Sequence, residues 1–237
     1  MKASHKISIA WPDNGQVHGE FAVSIAMLGR VRGDLIDSFI RVEGSGLISR
    51  MRNEIVDIFL NKTTSDWLLM IDSDEKIDVE TFDKLISAAH HTERPVLAGL
   101  VFAAFNSVDI YPEPVPSIYR AVEGGYSAIV TFPPDEVIPV DAAGTGCLLI
   151  HRSVLEAIRD NSASSEHEAG KWCWFQDLPI DGNWFGEDLV FCNRILQTGF
   201  PIHAHTGAIL PHRKGYWLTK EHHDRWMKIL ERYESKN

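Results

Sequence analysis

The sequence predicts an α/β fold in which a mostly parallel central sheet is flanked by helices. Apolar runs that suit buried strands alternate with segments of helical periodicity up to Phe105. The first apolar run, KISIAW, ends at the turn-forming residues Pro12, Asp13, Asn14 and Gly15. Because such alternation is typical of βα units, we expect helices to cover both faces of the sheet.

The predicted elements before Phe105 are three strand-and-helix pairs followed by a fourth strand. The strands are KISIAW, DLIDSFIRV, DWLLMI and RPVLAGLVF, and the helices are EFAVSIAMLGRV, GLISRMRNEIVDIFLN and DVETFDKLISAAH. In the second helix, the apolar residues expected to face the core are Leu47, Ile48, Met51, Ile55, Ile58 and Phe59.

The pattern is looser beyond Phe105. The proline-rich residues 106–118 predict a surface excursion, and residues 161–183 predict a second long loop. Further predicted elements are strands at YSAIVTF, EVIPVDAAGTGCLLIH and PIHAHT, a helix from Glu187 to Gln197, and an amphipathic helix from Thr219. Its apolar residues Trp217, Trp226, Ile229 and Leu230 suit packing on the domain or a homo-oligomer, and the sequence leaves both open.

Composition limits the class of protein. The chain has 237 residues, of which 44% are apolar and 24% charged, so we expect one globular domain, 1–237. Its formal charge of -10 argues against general binding to nucleic acid or anionic lipid. The cysteines Cys147, Cys173 and Cys192 are expected to be reduced thiols, because their spacing suits neither a zinc site nor a disulfide framework.

No segment suggests targeting or membrane insertion. The N-terminus lacks an apolar stretch of signal-peptide length, and no window reaches the about 20 apolar residues that a membrane span needs. We therefore expect a cytoplasmic protein.

The stretch WLLMIDSDE is the strongest functional signal. A strand of apolar residues ends in Asp72, Asp74 and Glu75, where ligands of open α/β sheets bind. In an extended chain Asp72 and Asp74 point the same way, which suits one divalent cation. The alternative is a turn or helix cap with no metal.

Two further segments carry candidate catalytic and acceptor residues. In WFGEDLVFC, Glu187 and Asp188 begin a helix, where acidic residues are also favoured by the helix dipole alone. One of them could act as general base toward a hydroxyl. Trp184 could form an aromatic platform for a ligand ring or pack in the core. In DAAGTGCLLIH, the acceptor-side candidates are Gly144, Thr145 and Gly146, with a β-bulge as the alternative.

Histidines follow these segments. His203, His205 and His212 lie in GFPIHAHTGAILPH, and a neutral imidazole can complete a metal site made of carboxylate and phosphate oxygens. Arg213 and Lys214 come next and could offset the charge of a leaving diphosphate. Neither a P-loop nor a dinucleotide fingerprint nor a G-x-S-x-G elbow occurs, which disfavours kinase-like and hydrolase functions.

Taken in order, these segments resemble the GT-A-fold glycosyltransferases, and most of all the family 2-like members that are short stand-alone proteins of bacteria and bacteriophages. The resemblance covers the N-terminal strand and loop, ISRMRNEIVDIFL, WLLMIDSDE, GTGCLLIHRSVLE and FGEDLVFCNRILQTGFPIHAHTGAILPH. It implies a GT-A, Rossmann-like nucleotide-diphospho-sugar transferase fold, with a nucleotide-binding half at about 1–105 and an acceptor-binding half at about 106–237. It also implies the cytoplasm of a bacterium or a phage-infected host.

The resemblance implies a role for each candidate. Asp74 would bind Mn²⁺ or Mg²⁺ that bridges the diphosphate of a nucleotide-diphosphate sugar, while Asp72 faces the ribose or a metal-bound water. The other donor-binding candidates are Trp11, Pro12, Asp13, Arg52 and Ser73. His212 fits the family's histidine position as a further metal ligand, with His205 as the second choice. Arg52 could equally be an ordinary exposed helix residue.

The same resemblance implies the reaction. Asp188 would deprotonate the acceptor hydroxyl while Glu187 binds acceptor hydroxyls, so that the sugar is transferred with inversion. UDP is favoured as the commonest donor nucleotide, and the acceptor is an unidentified glycan, protein or small molecule. The alternatives are a non-catalytic nucleotide-sugar or carbohydrate-binding protein on the same fold, and a sugar nucleotidyltransferase. The latter is disfavoured because AWPDNGQVHGE lacks a basic phosphate loop.

Overall fold

The secondary structure follows from a computed structural model that describes residues 6–44, 46–105, 113–161, 174–180 and 182–215, together with 220, 223 and 228. Its helices are α1 (Gly19–Val31), α2 (Ile48–Lys62), α3 (Val79–Ala88), α4 (Arg152–Asn161) and α5 (Glu187–Gln197). Its strands are β1 (Ile7–Asp13), β2 (Ile36–Glu43), β3 (Trp67–Ile71), β4 (Val96–Leu100), β5 (Phe102–Phe105), β6 (Glu113–Pro116), β7 (Ile118–Val122), β8 (Gly125–Ala128), β9 (Val137–Val140), β10 (Ala142–Ala143), β11 (Cys147–His151), β12 (Leu178–Ile180), β13 (Asn183–Phe185) and β14 (Ile202–Ile209).

A seven-stranded sheet in the order β2-β1-β3-β11-β4-β14-β9 forms the centre of the fold. β1 runs parallel to β2 and β3, and β4 runs parallel to β14. β11 is antiparallel to both β3 and β4, and β9 is antiparallel to β14. Within this sheet, five of the seven strands therefore run in one direction, and only β11 and β9 run in the opposite direction. The carboxyl ends of the five lie at one edge, as in the predicted α/β class.

The core lies on both faces of this sheet. Successive residues of β3 alternate between the faces, with Leu68 and Met70 on one and Leu69 and Ile71 on the other. Helices α2, α4 and α5 pack on the first face, and α1 and α3 pack on the second. Because β3 is covered on both sides, all five of its residues are buried, which explains its unbroken apolar sequence.

The inward face of α2 differs from the prediction at its start. Leu47 is 73% exposed and Ile48 is 38% exposed, so the expectation that both face the core is wrong. The helix begins at Ile48, and its first turn lies at the mouth of a cavity instead of against the sheet. Burial of apolar side chains starts at Met51, and the buried face also contains the polar residues Ser49, Arg52 and Asn53.

Several other boundaries differ from those predicted. The expected strand EVIPVDAAGTGCLLIH is divided into β9, β10 and β11, because the chain leaves the edge of the seven-stranded sheet after Val140, pairs with β7 as β10, and returns to the middle of the sheet as β11. Helix α4 was not predicted. Its sequence is mostly polar, and only Val154, Leu155 and Ile158 are buried, so its apolar periodicity is short. The bounds of α5 are those predicted.

Some predicted features fall outside the described residues. They are residues 106–112 and 162–173, Cys173, and most of the helix expected from Thr219. Cys147 and Cys192 are buried and free, as expected. Across the described ranges, no helix has the length and apolar character needed to cross a membrane.

Candidate functional site

The acidic segment after β3 is held by hydrogen bonds of the backbone at the carboxyl edge of the sheet. Asp72 N–H donates to Gly146 O at 2.9 Å, just before β11, and Glu75 N–H donates to Asp72 O at 3.1 Å. Glu75 also forms an isolated antiparallel bridge with His212. The chain after β3 is thereby joined to the chain after β14 and to the glycine segment before β11.

Asp74 and His212 are brought together by this arrangement, although they are 138 positions apart. His212 Nε2 lies 3.1 Å from Asp74 Oδ2, and Lys214 Nζ lies 3.4 Å from the same oxygen. Burial alone would raise the pKa of Asp74, but the His212 contact and the Lys214 charge outweigh it and lower the pKa. The contact with Asp74 raises the pKa of His212. His205 lies elsewhere, with its Nδ1 3.2 Å from Gly207 N.

Glu75 is the most buried carboxylate of the acidic segment. Its side chain is 1% exposed, and among the described residues neither of its oxygens has a hydrogen-bond partner. Burial raises the pKa of Glu75 to about 9, and the negative charges of Asp74 and Asp72 contribute. A cation at this place would favour the ionised form.

The donor atoms fit a divalent cation. One ligand atom from each of Asp74, Glu75 and His212 lies within 4.8 Å of the others. A set of carboxylate oxygens and an imidazole nitrogen suits Mn²⁺, whereas Mg²⁺ is bound mostly by oxygen. Both oxygens of Glu75 are buried without a hydrogen-bond partner among the described residues, as expected of carboxylate oxygens in a pocket that binds a cation. Asp72, the other predicted ligand, is not part of this group.

Asp72 instead contacts Arg52, which is 3% exposed inside α2. Arg52 Nη2 donates to both oxygens of Asp72, at 2.8 and 3.0 Å, and Nη1 donates to Glu187 Oε1. The guanidinium therefore joins the acidic segment to the start of α5. Glu187 Oε1 is thus paired with Arg52, and the role of Glu187 in binding acceptor hydroxyls stays a prediction.

Asp188 keeps one carboxylate oxygen without a hydrogen bond among the described residues. Its Oδ1 accepts the Leu189 N–H at 2.8 Å, which anchors the side chain at the N-terminus of α5. Burial raises the pKa of Asp188 despite that hydrogen bond and the charge of Arg52. Burial also raises the pKa of Glu187, while Arg52 opposes the rise. A partly buried carboxylate with a raised pKa, and with one oxygen that has no partner among the described residues, is suited to accept a proton.

A cavity of about 360 Å³ opens beside Asp74. Its lining comes from the end of β1 and the loop after it, the start of α2, the acidic segment and the chain after β14: Pro12, Asn14, Gln16, His18, Ile48, Met51, Asp72, Ser73, Asp74, His212 and Lys214. Of the predicted donor-binding residues, Pro12, Asp72 and Ser73 line it. A cavity of this size and mixed polarity suits a small organic ligand.

The other two predicted donor-binding residues of the N-terminal segment, Trp11 and Asp13, do not line this cavity. The Trp11 ring packs edge-on against Phe21, with ring centroids 5.5 Å apart. Asp13 is fully buried, and its carboxylate accepts the Gly15 N–H at 2.7 Å and Arg41 Nε at 2.5 Å. The bond from the Gly15 N–H to Asp13 closes a tight turn. Gly15 has φ of +93° in this turn, a conformation that glycine adopts more easily than other residues.

The predicted acceptor residues are divided between two places. A methyl group on Gly144 would lie 3.8 Å from Asp188 Oδ2, and one on Gly146 would lie 3.1 Å from Glu75 Oε1. Thr145 is buried, and its hydroxyl has no hydrogen-bond partner within the described part of the chain. Trp184 is 71% exposed on the β12–β13 hairpin and is not a core residue.

Sequence reasoning did not assign a role to Glu75 or predict the Arg52 bridge. In the sequence Glu75 is only a third carboxylate, and its position four residues after the buried strand β3 gives no sign that it is itself buried. Asn14, Gln16 and His18 in the cavity lining were also missed. Their one signal was the polar character of the loop after β1.

Comparison with known proteins identifies the fold. No family model matches the chain, and no curated protein sequence does either. The crystal structure of A197 from STIV is 16% identical and aligns over 90% of this chain and 97% of that chain, with a TM-score of 0.49. The crystal structure of GalNAc-T7 with UDP, GalNAc and Mn²⁺ is 11% identical, with a TM-score of 0.57 over 90% of this chain. This chain spans only 44% of that protein. The similarity to GalNAc-T7 confirms the predicted GT-A fold.

Proposed function

We propose that the chain is a metal-dependent, inverting glycosyltransferase that moves a sugar from a nucleotide-diphosphate sugar, with UDP as the nucleotide, to a hydroxyl-bearing acceptor. The observation that carries this proposal is the meeting of Asp74, His212 and Lys214 at the cavity of about 360 Å³. Carboxylate, imidazole and ammonium groups beside one cavity suit a ligand made of a cation and phosphate oxygens.

The donor half of the reaction depends on the acidic segment. Asp74 and His212 would hold Mn²⁺ or Mg²⁺, and the ion would supply positive charge to the departing diphosphate. Lys214 adds a fixed positive charge next to Asp74. Ser73 and Pro12 line the same cavity, where the nucleoside would lie. GalNAc-T7, which shares the fold, was crystallised with UDP and Mn²⁺, and this supports the choice of donor.

The acceptor half depends on α5. Asp188 would take the proton of the acceptor hydroxyl on its free oxygen, Oδ2. Burial raises its pKa, which improves its match to the work of a general base. Gly144 lies near Asp188, since a Cβ there would be 3.8 Å from Asp188 Oδ2, and the close approach of Ser117 Cβ, at 3.0 Å from that Cβ, is what favours glycine at this position. A single base that activates the acceptor directly is consistent with inversion.

A transfer assay tests the proposal. UDP release is measured from a panel of UDP-sugars with Mn²⁺ and simple sugar acceptors, in the wild type and in Asp74→Asn, Asp188→Asn and Asp160→Asn. We expect Mn²⁺-dependent release that both site variants lose. Asp160 has a 67% exposed side chain and serves as a matched control, so its variant should retain the activity. Nucleotide binding without release from any donor would favour a non-catalytic binding protein instead.

A further inference from the structure

Glu75 lies directly beside the residues assigned to the cation, and the proposed function does not use it. Its side chain is 1% exposed, and neither carboxylate oxygen has a hydrogen-bond partner among the described residues. A carboxylate loses favourable hydration when it is buried, so its retention there costs stability unless a charged or polar group compensates for the loss. The nearest compensating group is the ring of His212.

The imidazole of His212 lies between two carboxylates. Nε2 is 3.1 Å from Asp74 Oδ2, on the side assigned to the cation. Nδ1 is 2.8 Å from Phe102 O and 3.4 Å from Glu75 Oε1. Because a backbone carbonyl can only accept, Nδ1 must carry the proton, and Nε2 faces Asp74. Glu75 and Phe102 thus lie behind the ring.

The surrounding backbone keeps Glu75 in this position. Glu75 and His212 form an antiparallel bridge, so their side chains start from paired positions. A methyl group at Gly146 would lie only 3.1 Å from Glu75 Oε1 and 3.5 Å from Val101. The absence of a side chain at Gly146 leaves the room that the carboxylate occupies.

We propose that Glu75 is a positioning residue of the metal site. Its carboxylate lies on the Nδ1 side of the His212 ring and keeps the ring oriented with Nε2 toward the cation. This inference rests on the proposed function, because it assigns the cation to Asp74 and His212. Histidines that bind metals generally donate their other ring N–H to a carboxylate or a carbonyl, which orients the ring and strengthens it as a ligand. Phe102 O provides the acceptor, and Glu75 adds a carboxylate oxygen 3.4 Å from the same nitrogen, close enough for a charge contact.

Metal affinity is the first test. Mn²⁺ is titrated into the full chain with UDP present, and free Mn²⁺ is followed by electron paramagnetic resonance. With Mn²⁺ bound, which favours the ionised form of Glu75, we expect Glu75→Gln to remove that charge while keeping the shape, and so to raise the Mn²⁺ Kd by about 10- to 100-fold. Glu93→Gln is the control, because Glu93 has a 69% exposed side chain, and its Kd should equal that of the wild type. An unchanged Kd in Glu75→Gln would overturn the inference.

A spectroscopic readout separates positioning from other roles. The Nδ1 proton of His212 is observed by NMR in the complex with Mg²⁺ and UDP. We expect Glu75→Gln to shift this resonance upfield, because the proton loses its anionic neighbour. If the Mn²⁺ Kd rises while the Nδ1 resonance stays unchanged, Glu75 is a direct ligand or a structural residue and the positioning role is wrong. If Glu75→Gln does not fold, Gly146→Ala replaces it, since the added methyl would displace the carboxylate, and the same two changes are expected in smaller size.

The two hypotheses fail in different ways. A wild-type chain that binds no Mn²⁺ with UDP would contradict the proposed function, and the role of Glu75 with it. In the other case, the wild type binds Mn²⁺ with UDP and Asp74→Asn does not, as proposed, but Glu75→Gln binds Mn²⁺ as tightly as the wild type. That result would contradict the role of Glu75 alone.

Discussion

Arg52 contacts Asp72 through one guanidinium nitrogen, Nη2, which donates to both carboxylate oxygens at 2.8 and 3.0 Å. Its other terminal nitrogen donates to Glu187. The pair therefore links the acidic segment after β3 to the helix that carries Asp188. Both the donor and the acceptor side of the candidate site depend on one buried positive charge.

Loss of the Arg52 charge is expected to destabilise the fold. In Arg52→Met, the carboxylates of Asp72 and Glu187 stay partly buried without their cation, which costs about 3–5 kcal/mol. Arg52→Lys should lie between this variant and the wild type, because one ammonium group does not reproduce the planar fork of arginine. The free energy of unfolding in urea measures both. Arg50, exposed on the same helix, provides the control, and Arg50→Met should change that free energy by less than about 0.5 kcal/mol. Equal effects at both positions would contradict the role of the bridge.

Asp13 is expected to stabilise the fold and not to bind the donor directly. In Asp13→Ala, the Gly15 N–H and Arg41 lose their acceptor, which costs about 1–3 kcal/mol. Unfolding in urea gives the stability, and titration with UDP and Mn²⁺ gives the affinity. Asp34→Ala, at an exposed position, is the control and should have wild-type stability. A variant with full stability and weakened UDP binding would instead support the nucleotide role that the family resemblance implies.

Asp188 is expected to control the chemical step. Asp188→Asn removes the general base but keeps the size of the side chain, so kcat should fall by about 100- to 10,000-fold. Donor affinity should stay near that of the wild type, because Asp188 does not line the donor cavity. Steady-state kinetics and UDP titration measure the two quantities. A loss of affinity with kcat unchanged would remove Asp188 from the proposed chemistry.

The pH profile follows from the state of Asp188. A general base acts when ionised, so kcat/KM should rise with pH as Asp188 loses its proton and then level off. Because burial raises its pKa, the midpoint should lie above the ordinary value of 3.8. The profile is recorded at saturating Mn²⁺, so that metal loss does not contribute. A midpoint at or below pH 3.8, or the same acid limb in Asp188→Asn, would contradict the assignment.

Local patterns made much of the fold predictable. Strand and helix periodicity depends on neighbouring residues, so the order of elements up to β4 and the bounds of α5 follow from the sequence. The position of the acidic residues after β3 was predictable because ligands of open α/β sheets bind at the carboxyl ends of the strands, whereas the choice of His212 as their partner came from the family resemblance. The exposure of Leu47 and Ile48 could not be predicted in this way, because it depends on where α2 starts relative to the sheet.

The contacts inside the site depend on tertiary structure. Arg52 is separated by 20 positions from Asp72 and by 135 from Glu187, and no local pattern indicates that one guanidinium reaches both. The burial of Glu75 likewise depends on the chain after β14 and on the space at Gly146. Arg52 and Glu75 thus join the predicted site residues to one another through contacts that no local sequence pattern indicates.

The most direct test of the central claim is the thermal stability of the wild type and Asp74→Asn with UDP, each with and without Mn²⁺. A ligand that binds only the native state raises the melting temperature by mass action. We predict a rise for the wild type that requires both UDP and Mn²⁺ and is absent in Asp74→Asn. The same rise without Mn²⁺, or an undiminished rise in the folded variant, would contradict a metal-dependent donor site at Asp74.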